Sequence, residues 1–85
     1  MIYRMFAVLD KKINAYNTPL FYRSKGEAIR SFSDACLKED NFKAHAEDFV
    51  WCYLGTYDDE TGKGEWCHVP EIVITALDVV VTSDL

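Results

Sequence analysis

The sequence predicts an α+β domain in which a small antiparallel sheet of four or five strands is covered on one face by a single helix. Three observations support this fold class. Apolar and β-branched runs alternate with turn-forming residues, as strands in hairpins require. One segment, 27–38, repeats its apolar residues at helical spacing. The 85 residues suffice for one core, so 1–85 is expected to be a single domain.

Two strands are expected in the first quarter of the chain. Ile2–Leu9 combines β-branched, aromatic and apolar residues without Gly or Pro, which is typical of a strand. Tyr16–Tyr22 is a second extended segment, and Pro19 restricts it to a sheet edge because proline donates no ladder hydrogen bond. Together they predict a hairpin-like pair.

The helix is expected to begin after Ser24. Ser24 and Glu27 have the spacing of a capping box, in which each side chain bonds the backbone N–H of the other residue. The apolar residues that follow lie on one stripe, which predicts an amphipathic helix that ends near Glu39. That stripe consists of Ala28, Ile29, Phe32, Ala35 and Cys36.

A second hairpin is expected after the helix. Residues 40–48 are polar and irregular, and they lead into the strongest strand signal of the chain, Phe49–Tyr57. Residues 58–64 supply acidic turn formers and two glycines, so Glu65–Val69 can return antiparallel. The predicted order is therefore β-β-α-β-β.

The last fifteen residues are expected to add to the sheet. Pro70 interrupts the second hairpin, after which Ile72–Thr75 and Val79–Thr82 are rich in β-branched residues. These segments predict one further short strand, with residues 76–85 as a C-terminal strand or arm.

Charge is distributed unevenly along the chain. Residues 31–85 hold three lysines against twelve carboxylates, a balance of −9, and the whole chain has a formal charge of −5. Residues 1–30 hold six cations against two carboxylates, a balance of +4. Such polarity allows one surface to meet a polyanion, although charge runs also mark ordinary solvated surfaces. The six cations are Arg4, Lys11, Lys12, Arg23, Lys25 and Arg30.

Composition excludes several classes of protein. No apolar run approaches the ~18 residues of a membrane span, and the first residues do not resemble a signal peptide. Three cysteines cannot all pair within the chain, and without an export signal they are expected to be thiols in a reducing cytoplasm. An ordinary packed protein of the cytoplasm is expected.

No pattern of catalytic or metal-binding residues is present in the sequence. Cys67 and His68 are adjacent, but neighbouring strand residues point to opposite faces, so they do not form a nucleophile and base pair. The cysteine and histidine spacing fits no zinc site, the acidic turn lacks the spacing of a calcium loop, and no phosphate-binding glycine motif occurs. We expect neither an enzyme nor a cofactor.

The basic first third of the chain is the candidate binding segment, because its cations are interleaved with aromatic residues. Proteins that bind single strands use cations for the phosphates and aromatic rings for the bases. Most of the aromatic residues must fill the core, so only one or two of Tyr3, Tyr16 and Tyr22 are expected to be free. The predicted DNA-binding residues are Arg4, Lys11, Lys12, Tyr16, Arg23, Lys25 and Arg30.

Several short motifs are spaced along the chain: Pro19-Leu20-Phe21, Gly26-Glu27-Ala28-Ile29-Arg30-Ser31-Phe32, Asp48-Phe49, Leu54-Gly55-Thr56-Tyr57-Asp58, Thr61-Gly62 and Pro70. Together they resemble the motifs of a viral family, the small nonstructural proteins of gokushoviruses, which are single-stranded DNA phages of the Microviridae. The resemblance covers about residues 6–74. It implies a DNA-binding protein without enzymatic activity that acts in phage DNA synthesis, in the switch to single-stranded genomes for packaging, inside the host bacterium. It supplies no site residues.

Two functions remain open on the sequence. The chain either binds single-stranded DNA and regulates viral DNA synthesis, or it is an adaptor that recruits replication or capsid proteins without touching DNA. A homodimer is expected in both cases, because a small domain tends to cover exposed sheet edges by pairing with a copy of itself.

Overall fold

The structure is a computed structural model that describes residues 1–83. An antiparallel sheet forms one layer and helices form the other. The elements in chain order are β1 (Ile2–Asp10), β2 (Ala15–Tyr16), β3 (Leu20–Tyr22), α1 (Lys25–Lys38), α2 (Asp40–Ala44), a 3₁₀ turn (Ala46–Asp48), β4 (Phe49–Asp58), β5 (Lys63–Thr75) and α3 (Ala76–Ser83). The predicted α+β class and antiparallel sheet are confirmed.

The strand order is β2-β1-β4-β5, and β3 also pairs with β1. Since β4 pairs along the whole of β1, both β2 and β3 lie on the other side of β1 and form one edge of the sheet. The extended segment predicted over Tyr16–Tyr22 is thus two short strands separated by Asn17–Pro19. Pro19 cannot donate to a ladder, and this explains the interruption.

Helix α1 begins and ends where its sequence predicts. The Ser24 hydroxyl accepts a hydrogen bond from the Glu27 backbone N–H at 3.1 Å, which is one of the two hydrogen bonds of the predicted capping box. Ala28, Phe32 and Cys36 are buried, so the predicted apolar stripe faces the sheet. Such one-sided burial is what positions a surface helix.

The prediction that a single helix covers the sheet is wrong, because α2 and α3 add to the same layer. Residues 40–48, expected to be irregular, form α2 and the 3₁₀ turn. Phe42 anchors α2, since its ring centroid lies 4.7 Å from that of Phe49 and 6.1 Å from that of Phe32. One partly buried aromatic residue therefore orders a segment whose other residues are mostly polar.

The strand predicted over Val79–Thr82 is also wrong, because these residues belong to α3. The Thr75 hydroxyl accepts the Asp78 backbone N–H at 3.1 Å, which caps the helix. Ala76 and Val79 are buried at helical spacing against the core. Packing and the cap thus override the β preference of the valines. Ile72–Thr75 does join the sheet, as the end of β5, and residues 84 and 85 of the predicted arm lie outside the described residues.

The main core lies between the helices and the face of the sheet that we call the helix face. Trp51 is at its centre, with ring centroids 5.4 Å from Phe6 and 5.1 Å from Phe32, both nearly parallel to it. Val8 and Phe49 are buried in the same cluster. The stacked rings join β1, β4 and α1, and so fix the orientation of the helix on the sheet.

A second buried cluster lies on the opposite face, which we call the open face. Its buried members belong only to β1 and β4, whereas every buried helix residue in the described range belongs to the main core. The cluster is covered by its neighbours on the sheet rather than by a helix. It consists of Met5, Ala7, Val50, Cys52 and Leu54, with Leu9 and Tyr57 partly buried against it.

The pairing of β4 with β5 is irregular in the middle. Tyr53 pairs with Glu71 and Gly55 pairs with Trp66, so the four residues 67–70 of β5 lie opposite Leu54 alone. The interruption that Pro70 predicts is thus a bulge within one long strand. Bulges and proline obstruct further pairing at the outer edge of β5.

Candidate nucleic-acid interface

Residues 11–25 form one edge of the sheet, which we call the basic edge. The segment contains β2, β3 and their connections on the outer side of β1, and most of its residues are exposed. It holds four cations and no carboxylate, whereas the remainder of the chain carries −9. The cations of the basic edge are Lys11, Lys12, Arg23 and Lys25.

Lys11 and Lys12 lie in the turn at one end of the basic edge. The Lys11 backbone N–H donates to the Asp48 carbonyl oxygen at 2.8 Å, and the Lys12 N–H donates to Asp10 Oδ1 at 3.0 Å. Lys12 also lines a cavity of about 300 Å³ together with Asp10, Glu47 and Asp48. These carboxylates weaken the positive potential around Lys12.

Arg4, Arg23 and Lys25 come together at the other end. The Arg4 guanidinium donates to the Arg23 carbonyl oxygen at 3.1 Å, which ties β1 to the segment between β3 and α1. Arg4 and Lys25 line a cavity of about 190 Å³ with Phe6, Tyr53 and Glu71. Glu71 is the one carboxylate on that lining. This end therefore combines three cations and has an aromatic wall.

The seven predicted DNA-binding residues do not form one compact patch. Arg4 and Lys11 are seven residues apart on or beside β1, which corresponds to about 23 Å of extended strand. Arg30 lies on an exposed part of α1, where it lines a shallow depression with Gly26 and Glu27. A ligand that contacts the cations at both ends must therefore follow the basic edge.

Tyr16 is exposed and lies beside the lysine end. It pairs with Leu9, so its side chain belongs to the open face. Tyr22 is instead part of the core: its ring centroid lies 5.9 Å from Phe6, and its hydroxyl lies 2.9 Å from the Ser31 hydroxyl oxygen. Tyr3 is half-buried. Of the three tyrosines considered on sequence grounds, Tyr16 is the exposed one.

Phe21 and Trp66 are exposed aromatic residues that the sequence reading did not single out. Phe21 pairs with Met5, and Trp66 pairs with Gly55, which itself pairs with Met5. Both side chains therefore lie on the open face, and the Phe21 ring centroid is 5.7 Å from that of Tyr57. Alternation in a three-residue strand is too short a signal to show that Phe21 faces away from the core while Tyr22 packs against it.

The opposite edge of the sheet is acidic. Residues 58–75, which form the hairpin turn and β5, hold five carboxylates against Lys63, a balance of −4. The Met1 amine lies 2.6 Å from Asp59 and within 4 Å of Asp58 and Glu60. The hydrogen bond to Asp59 is the main cause that raises the pKa of this amine. We call residues 58–75 the acidic edge.

The three cysteines differ in their surroundings. Cys36, on the buried side of α1, is fully buried, and burial raises the pKa of its thiol to about 11. Burial also raises the pKa of Cys52 on the open face. Cys67, in the bulge of β5, is partly exposed. Cys36 and Cys52 are therefore core residues, in which the thiol behaves as a small apolar group.

No helix among residues 1–83 is long and apolar enough to cross a membrane.

The chain is similar to known phage proteins. Residues 3–79 match the family model described as Phage ORF5 protein. Protein ORF5 of Chlamydia phage 1 is 30% identical over 63 residues, which is 68% of this chain and 66% of that relative. The chain thus matches slightly less than two thirds of the relative's own length. No solved structure matches significantly.

Proposed function

The chain belongs to the phage ORF5 protein family, and from that premise we propose that it is a non-enzymatic phage protein that binds single-stranded DNA. The resemblance to gokushovirus proteins is confirmed by this membership. The direct contact with DNA is our inference from the basic edge.

The charge of the basic edge carries the proposal. Residues 11–25 concentrate four cations without a carboxylate in a chain whose net charge is −5. In the described part of the chain, no carboxylate lies within ion-pair distance of these four side chains. Cations without partners attract phosphates and release counterions from DNA when they bind. The acidic remainder repels DNA and so restricts it to this edge.

Exposed rings beside these cations favour a single strand over a duplex. Tyr16 lies at the lysine end, and Phe21 lies two residues before Arg23. Bases that are not paired can stack on such rings, with about 1–3 kcal/mol per base. In a duplex, the faces of the bases are already stacked on each other and are not available to the protein's aromatic rings.

The proposed biological role is regulation of viral DNA synthesis in the host bacterial cytoplasm. A protein that holds single strands can favour their production over duplex replication and deliver them for packaging. Replication proteins of the phage or host would be its partners in this role.

An adaptor is the second candidate function, and the open face favours it. This face is apolar and carries exposed side chains, which is typical of a surface that binds protein. An adaptor would recruit replication or capsid components without direct DNA contact.

A salt titration separates the two functions. Fluorescence anisotropy with a labelled oligonucleotide should show tight binding at low salt that weakens steeply as salt rises. Replacing Lys11, Lys12, Arg23 and Lys25 together by Ala should lower the affinity and flatten the salt slope by up to about 0.7 for each lost phosphate contact.

A matched control uses the lysines outside the basic third of the chain. Ala substitution of Lys38, Lys43 and Lys63 also removes positive charge, but it should change affinity little because acidic segments surround them in sequence. Failure of the wild type to bind at low salt, or equal binding by the quadruple variant, would favour the adaptor.

A further inference from the structure

The cavity between Arg4 and Glu71 lies on the helix face, close to the start of α1. Phe6, Tyr53 and Glu71 pair in one row across β1, β4 and β5. Phe6 is buried in the main core and the Tyr53 ring packs against it, with 5.3 Å between the ring centroids, so this row faces the helices. Arg4 lies two residues before Phe6 on the same face of β1. Register thus brings four of the five lining residues together, and Lys25, the first residue of α1, is the fifth.

The charged side chains of this cavity have opposite signs but do not form ion pairs with one another. Arg4 and Lys25 are cations and Glu71 is a carboxylate, yet among residues 1–83 no side-chain cation lies within 4 Å of the Glu71 oxygens. The strands that carry Arg4 and Glu71 are two strand spacings apart, about 10 Å. Strand β4, with the half-buried Tyr53, lies between them. The cavity therefore has a positive side and a negative side with an aromatic surface between them.

This lining selects a ligand with an anionic end, a flat apolar body and a hydrogen-bond donor at the other end. The two cations repel the cationic side chain of a protein partner, and Glu71 repels an anion that fills the whole cavity. A nucleotide has all three parts, since its phosphate binds cations, its base stacks on a ring and its base edge can donate to a carboxylate. The volume of about 190 Å³ is below the ~300–1,000 Å³ of sites for drug-sized ligands, which suits one base.

We propose that this cavity binds one unpaired guanine of the single strand held by the basic edge. The inference rests on the proposed binding of single-stranded DNA and adds base selectivity to it. Guanine has two adjacent donors on its Watson–Crick edge, N1–H and N2–H, which together match the two oxygens of one carboxylate. Adenine and cytosine present an amino group beside an acceptor that repels the carboxylate, and thymine presents one N–H between two carbonyl oxygens. Guanine is therefore the base that Glu71 selects.

Arg4 is positioned to hold the phosphate of that nucleotide. Its guanidinium donates to the Arg23 carbonyl oxygen at 3.1 Å, which restrains the side chain. A guanidinium has five N–H donors, so its other donors can bond phosphate oxygens. Since the cations lie toward the basic edge and Glu71 lies on β5, the strand enters from the basic edge and its base points toward β5. In a duplex the Watson–Crick edge is already paired, so the cavity accepts only an unpaired base.

Two oligonucleotides and two variants test the base preference. The oligonucleotides are a labelled oligothymidine and the same oligonucleotide with one central guanine. Glu71→Gln replaces one acceptor oxygen by an amide that faces the guanine donors with its own N–H groups. Glu65→Gln makes the same change of charge at another exposed residue on the same face of β5, outside the cavity. Because both variants lose one negative charge, their affinities for oligothymidine should rise by similar factors.

The wild type should bind the guanine-containing oligonucleotide at least about fivefold more tightly than oligothymidine, as a bidentate base contact provides. Glu71→Gln should lose this preference and Glu65→Gln should keep it. Fluorescence anisotropy at low salt gives the affinities, and circular dichroism verifies that both variants fold. Equal binding of the two oligonucleotides by the wild type would overturn the guanine site while leaving the proposed DNA binding intact. Loss of the preference in both variants would overturn it as well.

Free dGMP tests the cavity independently of the basic edge. In NMR titrations to millimolar concentrations, dGMP should shift the amide signals of Tyr53 and Glu71, whereas dTMP should not. If neither oligonucleotide binds the wild type, the proposed function fails, and the dGMP titration still decides whether the cavity takes guanine. Equal shifts from the two nucleotides, or shifts from neither, would overturn the guanine site.

Discussion

Gly55 lies directly opposite Trp66 in the β4–β5 ladder, and the backbone of β5 leaves no space for a side chain there. A Cβ atom at Gly55 would lie 2.9 Å from the Trp66 Cα atom and would clash with the Glu65 carbonyl oxygen. Gly55 also has φ +146°, a conformation that residues with a side chain rarely adopt. This glycine therefore allows β5 to approach β4 immediately before the bulge.

Gly55→Ala should destabilise the fold by about 1–3 kcal/mol, because strain and the clash act together. Gly64→Ala is the matched control on the same hairpin: its Cβ atom would make only an ordinary contact, 3.6 Å from the Thr56 carbonyl oxygen. Urea denaturation should show little change for Gly64→Ala. Equal loss of stability in the two variants would contradict the close approach of the β5 backbone to Gly55.

Ser24→Ala should destabilise the fold by about 0.5–2 kcal/mol, because it removes the cap of α1. Phe32→Ala should cost more, about 3–5 kcal/mol, because it leaves a cavity beside the stacked Trp51 ring. Chemical denaturation of both variants gives the order. A larger effect from Ser24 would contradict the position of Phe32 in the core.

Cys67 should be the cysteine that reacts with iodoacetamide in the folded protein near neutral pH. Cys36 and Cys52 are buried, and burial raises the pKa of both thiols, to about 11 for Cys36. Mass spectrometry after brief labelling should show one modification, which Cys67→Ser removes. Two or three modifications at native conditions would mean that the core opens readily.

Stability should fall as pH rises from about 9 to about 11, because of Cys36. An unfolded thiol ionises near the ordinary value of 9.0, whereas the folded thiol stays protonated up to about pH 11. The folded state thus binds more protons in this interval, so ionisation favours unfolding. Cys36→Ala should flatten the decline in the free energy of unfolding. An unchanged pH dependence in that variant would exclude Cys36 as its source.

Local signals in the sequence predict most of the elements. Ser24 and the apolar stripe define α1, and Pro19 places its segment at an edge, because capping and the missing proline N–H act within a few residues. The charge polarity is likewise readable from the chain, and it leads directly to the basic edge. The family resemblance, carried by the spaced motifs, is confirmed by the match over residues 3–79.

Long-range packing decided the rest. The valines of α3 favour a strand locally, but burial of Ala76 and Val79 on the core makes a helix. The same packing partly buries Tyr22 against the core and leaves Phe21, its neighbour, exposed, because successive strand residues face opposite sides and only one side meets the helices. The sequence by itself thus determined where the elements begin and which segment is basic. Only the tertiary structure decided which aromatic rings face outward and which cations meet, since both depend on pairing between distant segments.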